Sequence, residues 1–174
     1  MLPVRLSREI IYQSKWVNLY ADKVRFLDGS IIEKYHVVSF DNGAVGVVVE
    51  NDKDEILLIE SYRYIPQSIG WEIPAGGMDD NESILDTAVR EVHEETGYSI
   101  ANCQHIYSYN PSNGSSDQVF HVVQAKAVNC VGKFDTNEVK SIKWFSKIEI
   151  REMIHRREIV DGFSLTGLLV YLCK

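Results

Sequence analysis

Residues 76–98 read GGMDDNESILDTAVREVHEETGY. Apolar Ile84, Ala88 and Val92 recur at i, i+4 and i+8, with Leu85 and Val89 beside them, which predicts a helix from Glu82 to Thr96. Asp80 or Asn81 is placed to cap its start, and Gly97 to stop it at C′. Glu91, Glu94 and Glu95 stand at i, i+3 and i+4, so three carboxylates gather on a side largely away from the apolar stripe. Like charges at that spacing repel and weaken a bare helix. Taken alone, the three read as a solvated face. A divalent cation would turn the repulsion into coordination, and an all-oxygen set suits Mg²⁺, with Mn²⁺ as the alternative.

Outward from this helix the chain reads mainly as strands. Lys15 to Val24 is apolar-rich, and Lys23 to Phe26 leads into Asp28-Gly29, a hairpin signal. Ile31 to Phe40 returns to a second turn at Asp41-Asn42-Gly43. Ala44 to Glu50, AVGVVVE, is the continuous run of a strand buried on both faces. Ile56 to Ile59 follows a polar turn, and Ser61 to Gly77, with two prolines and three glycines, reads as irregular. Beyond the central helix, Gln118 to Ala127 and Glu138 to Phe145 read as strands around a polar loop at Asn129 to Asn137. Lys147 to His155 and Phe163 to Leu172 read as short helices. The order predicts an α+β architecture, a mixed sheet between helices.

Composition narrows the partners. The 174 residues suffice for one compact domain, and 45% apolar with 25% charged residues excludes a disordered or collagen-like chain. Eighteen basic against 25 acidic residues give a net charge of −7, without the basic footprint of a nucleic-acid binder. A polyanionic substrate must therefore meet a local basic group or metal ions. Cys103, Cys130 and Cys173 are far apart and form no C-x-x-C pattern, so reduced and mostly buried thiols in a cytoplasmic protein are expected. No apolar run approaches a membrane span, and the N-terminus has no signal-peptide core. None of the five histidines pairs with another at ligand spacing; His93 reads as exposed and the others as ordinary surface or core residues.

Gly76, Glu82, Arg90, Glu91, Glu94, Glu95 and Gly97 together resemble the Nudix box, G-x5-E-x7-R-E-U-x-E-E-x-G-U with U aliphatic. Only the final position departs, with Tyr98 in place of an aliphatic residue. Seven fixed residues, each used at roughly 6–7%, would fall into this register by chance on the order of once in a million chains. The resemblance implies a Nudix fold, an α/β/α arrangement with an antiparallel N-terminal strand segment. It also implies that the Ala75 carbonyl with Glu91, Glu94 and Glu95 holds the metal, Glu91 and Glu95 being catalytic, while Glu82 and Arg90 form a structural ion pair and Gly97 ends the helix. Gly76 and Gly77 would let the backbone approach the substrate phosphates.

The flanks are similar to the ADP-ribose pyrophosphatase branch: Lys15-Trp16-Val17, Tyr62-Arg63-Tyr64, the run from Trp71 to Gly76, and Tyr109-Asn110-Pro111 with Ser115-Ser116-Asp117. Pro111, fourteen positions after Gly97, is a cue for ADP-sugars that arrives slightly early. By this resemblance Arg63 binds phosphate, a role its fork of donors suits. Trp16 stacks on adenine or packs within its strand, and Glu72 lies near the metal site. Glu138 is the general base, with Asp135 behind it; Ser141 stands where many relatives carry a second acid. The implied reaction is Mg²⁺-dependent hydrolysis of ADP-ribose to AMP and ribose 5-phosphate. Residues 1–40 would be a dimerising, adenine-binding segment and 41–174 the hydrolase domain of a homodimer. The alternatives are a hydrolase of another nucleoside diphosphate sugar such as GDP-mannose, or a Nudix module that senses a nucleotide without cleaving it.

Overall fold

Gly29 takes a left-handed φ of +85° at the tip of the second hairpin, and the Asp28 carboxylate beside it accepts the Ser30 N–H at 2.9 Å. The turn thereby closes without help from the rest of the chain. This hairpin belongs to the first of two compact units in a computed structural model that describes residues 2–130 and 132–174.

The first unit comprises the chain up to Gly43 and the segment Asn110–Val119. Strands β1 (Val4–Gln13), β2 (Asn18–Arg25) and β3 (Ile31–Ser39) form an antiparallel sheet in the order β1-β2-β3. A two-pronged Arg8–Asp22 pair at 2.7 and 2.8 Å crosses from β1 to β2. Every residue of β1 is exposed, including Val4, Leu6, Ile10 and Ile11. The returning segment rests on β3: Val38 N–H donates to the Ser115 carbonyl, and Asp117 accepts from Ser39 Oγ and Phe40 N. Ser115 and Asp117 are thus loop anchors.

The second unit comprises Ala44–Tyr109 and Phe120–Lys174. Its sheet contains β4 (Ala44–Glu50), β5 (Glu55–Arg63), β8 (Tyr98–Tyr109), β9 (Phe120–Cys130) and β10 (Val139–Ser146) in the order β10-β5-β4-β9-β8. Strands β6 (Ser68–Glu72) and β7 (Ala75–Gly77) pair with β5 and β4. The central β4 is buried along its whole length and parallel to β9, as its unbroken apolar run requires. Helix α1 (Ile84–Thr96) covers one face, packing Ala88 and Val92 onto Val45, Val47 and Val123. Helices α2 (Lys147–His155) and α3 (Gly162–Leu172) cover the other, packing Ile150 and Leu168 into one cluster with Val48, Leu58 and Ile73. Each such side chain withdrawn from water contributes about 1.5–3 kcal/mol.

Four expectations change. The stretch 61–77 is ordered: β5 runs to Arg63, Gln67 turns the chain at φ +50°, and Pro66 and Pro74 fall outside the strands, where the absent N–H costs nothing. Tyr98–Tyr109 is a twelve-residue strand that its sequence disguises, because register shifts near Asn102 (φ +54°) and His105 break the alternation. The cap of α1 is Ser83, whose Oγ accepts from Asp86 N at 3.2 Å. Asn81 instead sits at φ +65° in the preceding turn, where Glu82 N–H bonds the Asp79 carbonyl. Cys130 and Cys173 are exposed and Cys103 is half-buried, so the thiols are free but not mostly buried. Among the described residues, no helix is long and apolar enough to cross a membrane.

Candidate active site

The site grows from the contact between β7 and α1. Val45 pairs with Gly76 and Gly46 with Ala75, which lays β7 on the edge of β4. Pro74 offers its carbonyl to Val47 N at 2.8 Å, and Ala75 N–H donates to Glu95 Oε2 at 2.8 Å. A methyl group added at Gly76 would overlap the Glu91 carboxylate, so only glycine lets strand and side chain meet there. Gly97 ends α1 at φ +71° with its N–H on the His93 carbonyl.

The carboxylates are not equivalent. Glu91 and Glu95 are only 8% and 7% exposed, which overturns the reading of a solvated face, while Glu94 lies on the surface. Burial lifts the Glu95 carboxyl to about 8; the Ala75 N–H and Arg63 pull against it, and the charges of Glu91 and Glu138 add to it. Burial also raises Glu91, against the pull of Arg90. Arg90 holds Glu82 through two bonds of 2.9 Å and drives its carboxyl down to about 2. The same guanidinium reaches Glu91 at 2.6 Å, Glu94 at 3.2 Å and the Gly77 carbonyl at 2.9 Å. Glu82 and Arg90 thus form an ion pair that ties the turn before α1 to the helix and to β7.

Arg63, at the end of β5, makes a two-pronged bond to the buried carboxylate of Glu72 on β6. It borders a cleft of about 610 Å³ with Tyr62, Tyr64, Ser68, Ile69 and Asn137. Glu138 is exposed and its carbonyl accepts Tyr62 N–H at 3.0 Å. Its loop is fastened to the end of α1, where Gly132 N–H donates to Gly97 O and Asp135 N–H to Glu94 O. The second unit therefore gathers Arg63, Glu72, Ala75, Gly76, Gly77, Glu91, Glu95 and Glu138. Trp16 belongs to the first unit, in the β1–β2 turn, 75% exposed with Lys15 Nζ 4.5 Å from its ring centre.

The donor set fits a divalent cation in its chemistry. Two buried oxygen-ligand groups lie against a glycine-lined strand and are raised above their ordinary values first by burial and then by the charges of neighbouring carboxylates, a deficit that a cation offsets. As they stand, no three His, Cys, Asp or Glu side chains among the described residues enclose an ion. Arg90 Nη1 bridges Glu91 and Glu94.

Two supporting residues escaped the sequence reading. Ser164 of α3 accepts Ile73 N–H at 3.0 Å and donates to Asp161 Oδ2 at 2.7 Å, fixing the chain between Glu72 and Ala75. Asp161-Gly162 carried a helix-start signal, but nothing in it pointed to a partner some ninety residues away.

The NUDIX domain family matches residues 41–163, and the nucleoside diphosphate sugar hydrolase N-terminal domain matches residues 4–38. The CMP-5'-(N-acetyl-N-hydroxy-3-aminopropyl)phosphonate hydrolase of Streptomyces rubellomurinus is 29% identical over 95% of this chain and 80% of its own. The ADP-ribose pyrophosphatase of Bacillus subtilis is 27% identical over 90% and 85%, and that of Mycobacterium tuberculosis 29% over 94% and 80%. A solved structure described as an ADP compounds hydrolase superposes with a TM-score of 0.86 over 98% of this chain and 92% of that one, at 18% identity, a likeness of fold.

Proposed function

We propose that this chain, which belongs to the NUDIX family and is a Nudix hydrolase, cleaves the diphosphate bond of ADP-ribose or a related ADP-sugar, giving AMP and, from ADP-ribose, ribose 5-phosphate. The observation that carries the reading is the pair of buried carboxylates, Glu91 and Glu95, set against Ala75 and Gly76 at the mouth of the sheet. The relatives named ADP-ribose pyrophosphatase support the substrate, as does the matching N-terminal domain.

In this reading the Ala75 carbonyl with Glu91, Glu94 and Glu95 holds Mg²⁺ or Mn²⁺. Such an ion supplies positive charge against the diphosphate and makes a water easier to deprotonate. The chain's own groups do the rest. Arg63, its fork aligned by Glu72, holds a phosphate at the wall of the cleft. Glu138 takes the proton of the attacking water, and Asp135 shapes its loop by accepting Asn137 N–H. Glu82 and Arg90 keep Glu91 in place. Trp16 stacks on the adenine, and the exposed apolar edge strand β1 pairs two copies into a homodimer.

A second reading has its own observation: the Streptomyces rubellomurinus relative is named for a CMP-linked phosphonate. Another nucleoside diphosphate derivative, such as GDP-mannose, would use the same carboxylates with a different base. The deciding experiment incubates the purified protein and Mg²⁺ with ADP-ribose, GDP-mannose and a CMP-linked phosphonate, and separates the products by chromatography. AMP and ribose 5-phosphate formed fastest from ADP-ribose support the proposal. Faster release of GMP or CMP replaces the substrate, and ADP-ribose bound without cleavage favours a sensor. Light scattering on the same sample tests the dimer.

A further inference from the structure

The stretch of chain that carries the site changes partner midway. Up to Glu72, which lies opposite Ile59, it pairs with β5 as β6; from Ala75, opposite Gly46, it pairs with β4 as β7. Ile73 and Pro74 make the crossing. Pro74 has no N–H, and its carbonyl accepts Val47 N–H at 2.8 Å. Ile73 is fully buried between the two ladders, so its N–H needs an acceptor from elsewhere. Ser164 Oγ of α3 supplies it at 3.0 Å.

Asp161 decides how that serine is used. Its Oδ2, at the N-cap of α3, accepts Ser164 N–H and Ser164 O–H, both at 2.7 Å. A hydroxyl has one proton, so Ser164 turns its lone pairs to Ile73. Ser164 is itself 1% exposed, and solvent does not compete for the bond. The Ile73 side chain has no slack either: a methyl group added at Gly46 or at Gly167 would lie 2.9 Å from its Cδ1. Both ends of the two-residue crossing hold a group of the site. Glu72 aligns Arg63, and Ala75 N–H holds Glu95. A displacement of Ile73 therefore reaches both.

We infer that Ser164, oriented by Asp161, is a positioning residue for the hydrolysis: through Ile73 it sets the phosphate grip of Arg63 and the carboxylate of Glu95 relative to each other. The inference rests on the proposed roles of Arg63 and Glu95, and in that reading Ser164 touches neither substrate nor metal. In Ser164→Ala the Ile73 N–H loses its acceptor where water cannot replace it, and the crossing shifts to pair it. The same shift loosens Arg63 and Glu95, so KM should rise as kcat falls. A merely less stable enzyme has fewer folded molecules, each with the parent's affinity, and loses apparent kcat at constant KM.

The test compares the full chain with Ser164→Ala, Asp161→Asn and, as a control destabilised at the opposite end of β4, Glu50→Gln. In ¹⁵N spectra taken without substrate, Ser164→Ala should move the Ala75 amide and the Arg63 Nε resonances together, and Glu50→Gln should move neither. With the diphosphate that the parent cleaves fastest, Ser164→Ala should lose about ten- to a hundredfold in kcat/KM, with KM raised and kcat lowered. Asp161→Asn keeps a helix cap and an oxygen for Ser164, so it should change the same quantities in the same direction but less, and it carries the test if Ser164→Ala does not fold. A Ser164→Ala enzyme with the parent's KM overturns the inference, as do unmoved Ala75 and Arg63 resonances. If the parent cleaves no diphosphate the proposed function fails, and the resonances alone decide whether Ser164 sets Arg63 and Ala75.

Discussion

Glu50 and Glu95 are both buried glutamates of the second unit, and their environments drive them in opposite directions. Burial raises the Glu50 carboxyl, but Lys126 at 2.7 Å and Lys147 at 2.5 Å outweigh it and hold it at about 2. Glu95 has one backbone N–H and a distant guanidinium against burial, Glu91 and Glu138, and it rises to about 8. Burial is common to both, so the balance of neighbouring charge decides. A carboxylate whose charge is cancelled holds the fold together; one left in deficit is poised for a cation that the folded chain does not itself supply. The two predict opposite mutational signatures.

The largest effect belongs to Glu95. Glu95→Gln should lower turnover on the order of a hundred- to a thousand-fold, as removal of one electrostatic group in a buried site does. Its metal-free melting temperature should hold or rise above about pH 8, where the parent's Glu95 carries a charge that burial and Glu91 oppose, and should change little below that pH, where the carboxyl is protonated. A large fall in melting temperature with turnover intact would make Glu95 a structural residue and erase the contrast.

Glu50 should behave the other way. Glu50→Gln strands two ammoniums around a neutral amide and should cost about 2 kcal/mol of stability, less than a fully buried pair because both lysines are partly exposed. Turnover should change little. The pH dependence has a fixed sign: a carboxyl held near 2 when folded and at 4.5 otherwise contributes its full stability above about 4.5 and loses it as the pH falls toward 2. Denaturant midpoints between pH 5 and 2.5 should therefore fall more steeply in the parent than in Glu50→Gln. Parallel curves would show that the lysines do not hold Glu50.

The contrast also explains what the sequence could convey. The helix, its glutamates and the buried β4 are local patterns, set by spacings of three, four and eight residues or by an unbroken apolar run, whereas the Glu82–Arg90 pair came only with the resemblance to the Nudix box. The deep burial of Glu91 and Glu95 was not local: Glu91 packs where Gly76 has no Cβ, and Glu95 takes the Ala75 N–H, so both depend on β7 lying against α1. β8 was missed because its register shifts erase the period-two signal. Ser164 was missed because its partner Ile73 is reached only through the packing of α3. In each case the pairing partner was unread, not the residue.

Glu72 lies between the two extremes and sharpens the contrast most finely. It is buried like Glu95 but carries one full cation, the two-pronged Arg63, whose side chain still faces the cleft. If cancelled charge means structure and exposed donors mean binding, this pair should show both at reduced strength. Arg63→Lys keeps the charge but loses the fork: one ammonium cannot satisfy both Glu72 oxygens and still present a donor to phosphate. We expect KM for the diphosphate substrate to rise about fivefold, roughly 1 kcal/mol, with kcat nearly unchanged, because Arg63 holds ground and transition states alike. Stability should drop by less than in Glu50→Gln, since the lysine still neutralises Glu72. Steady-state kinetics beside a denaturant midpoint resolve the two parts. A fall in kcat at constant KM would move Arg63 from holding the substrate to stabilising the charge that develops during cleavage.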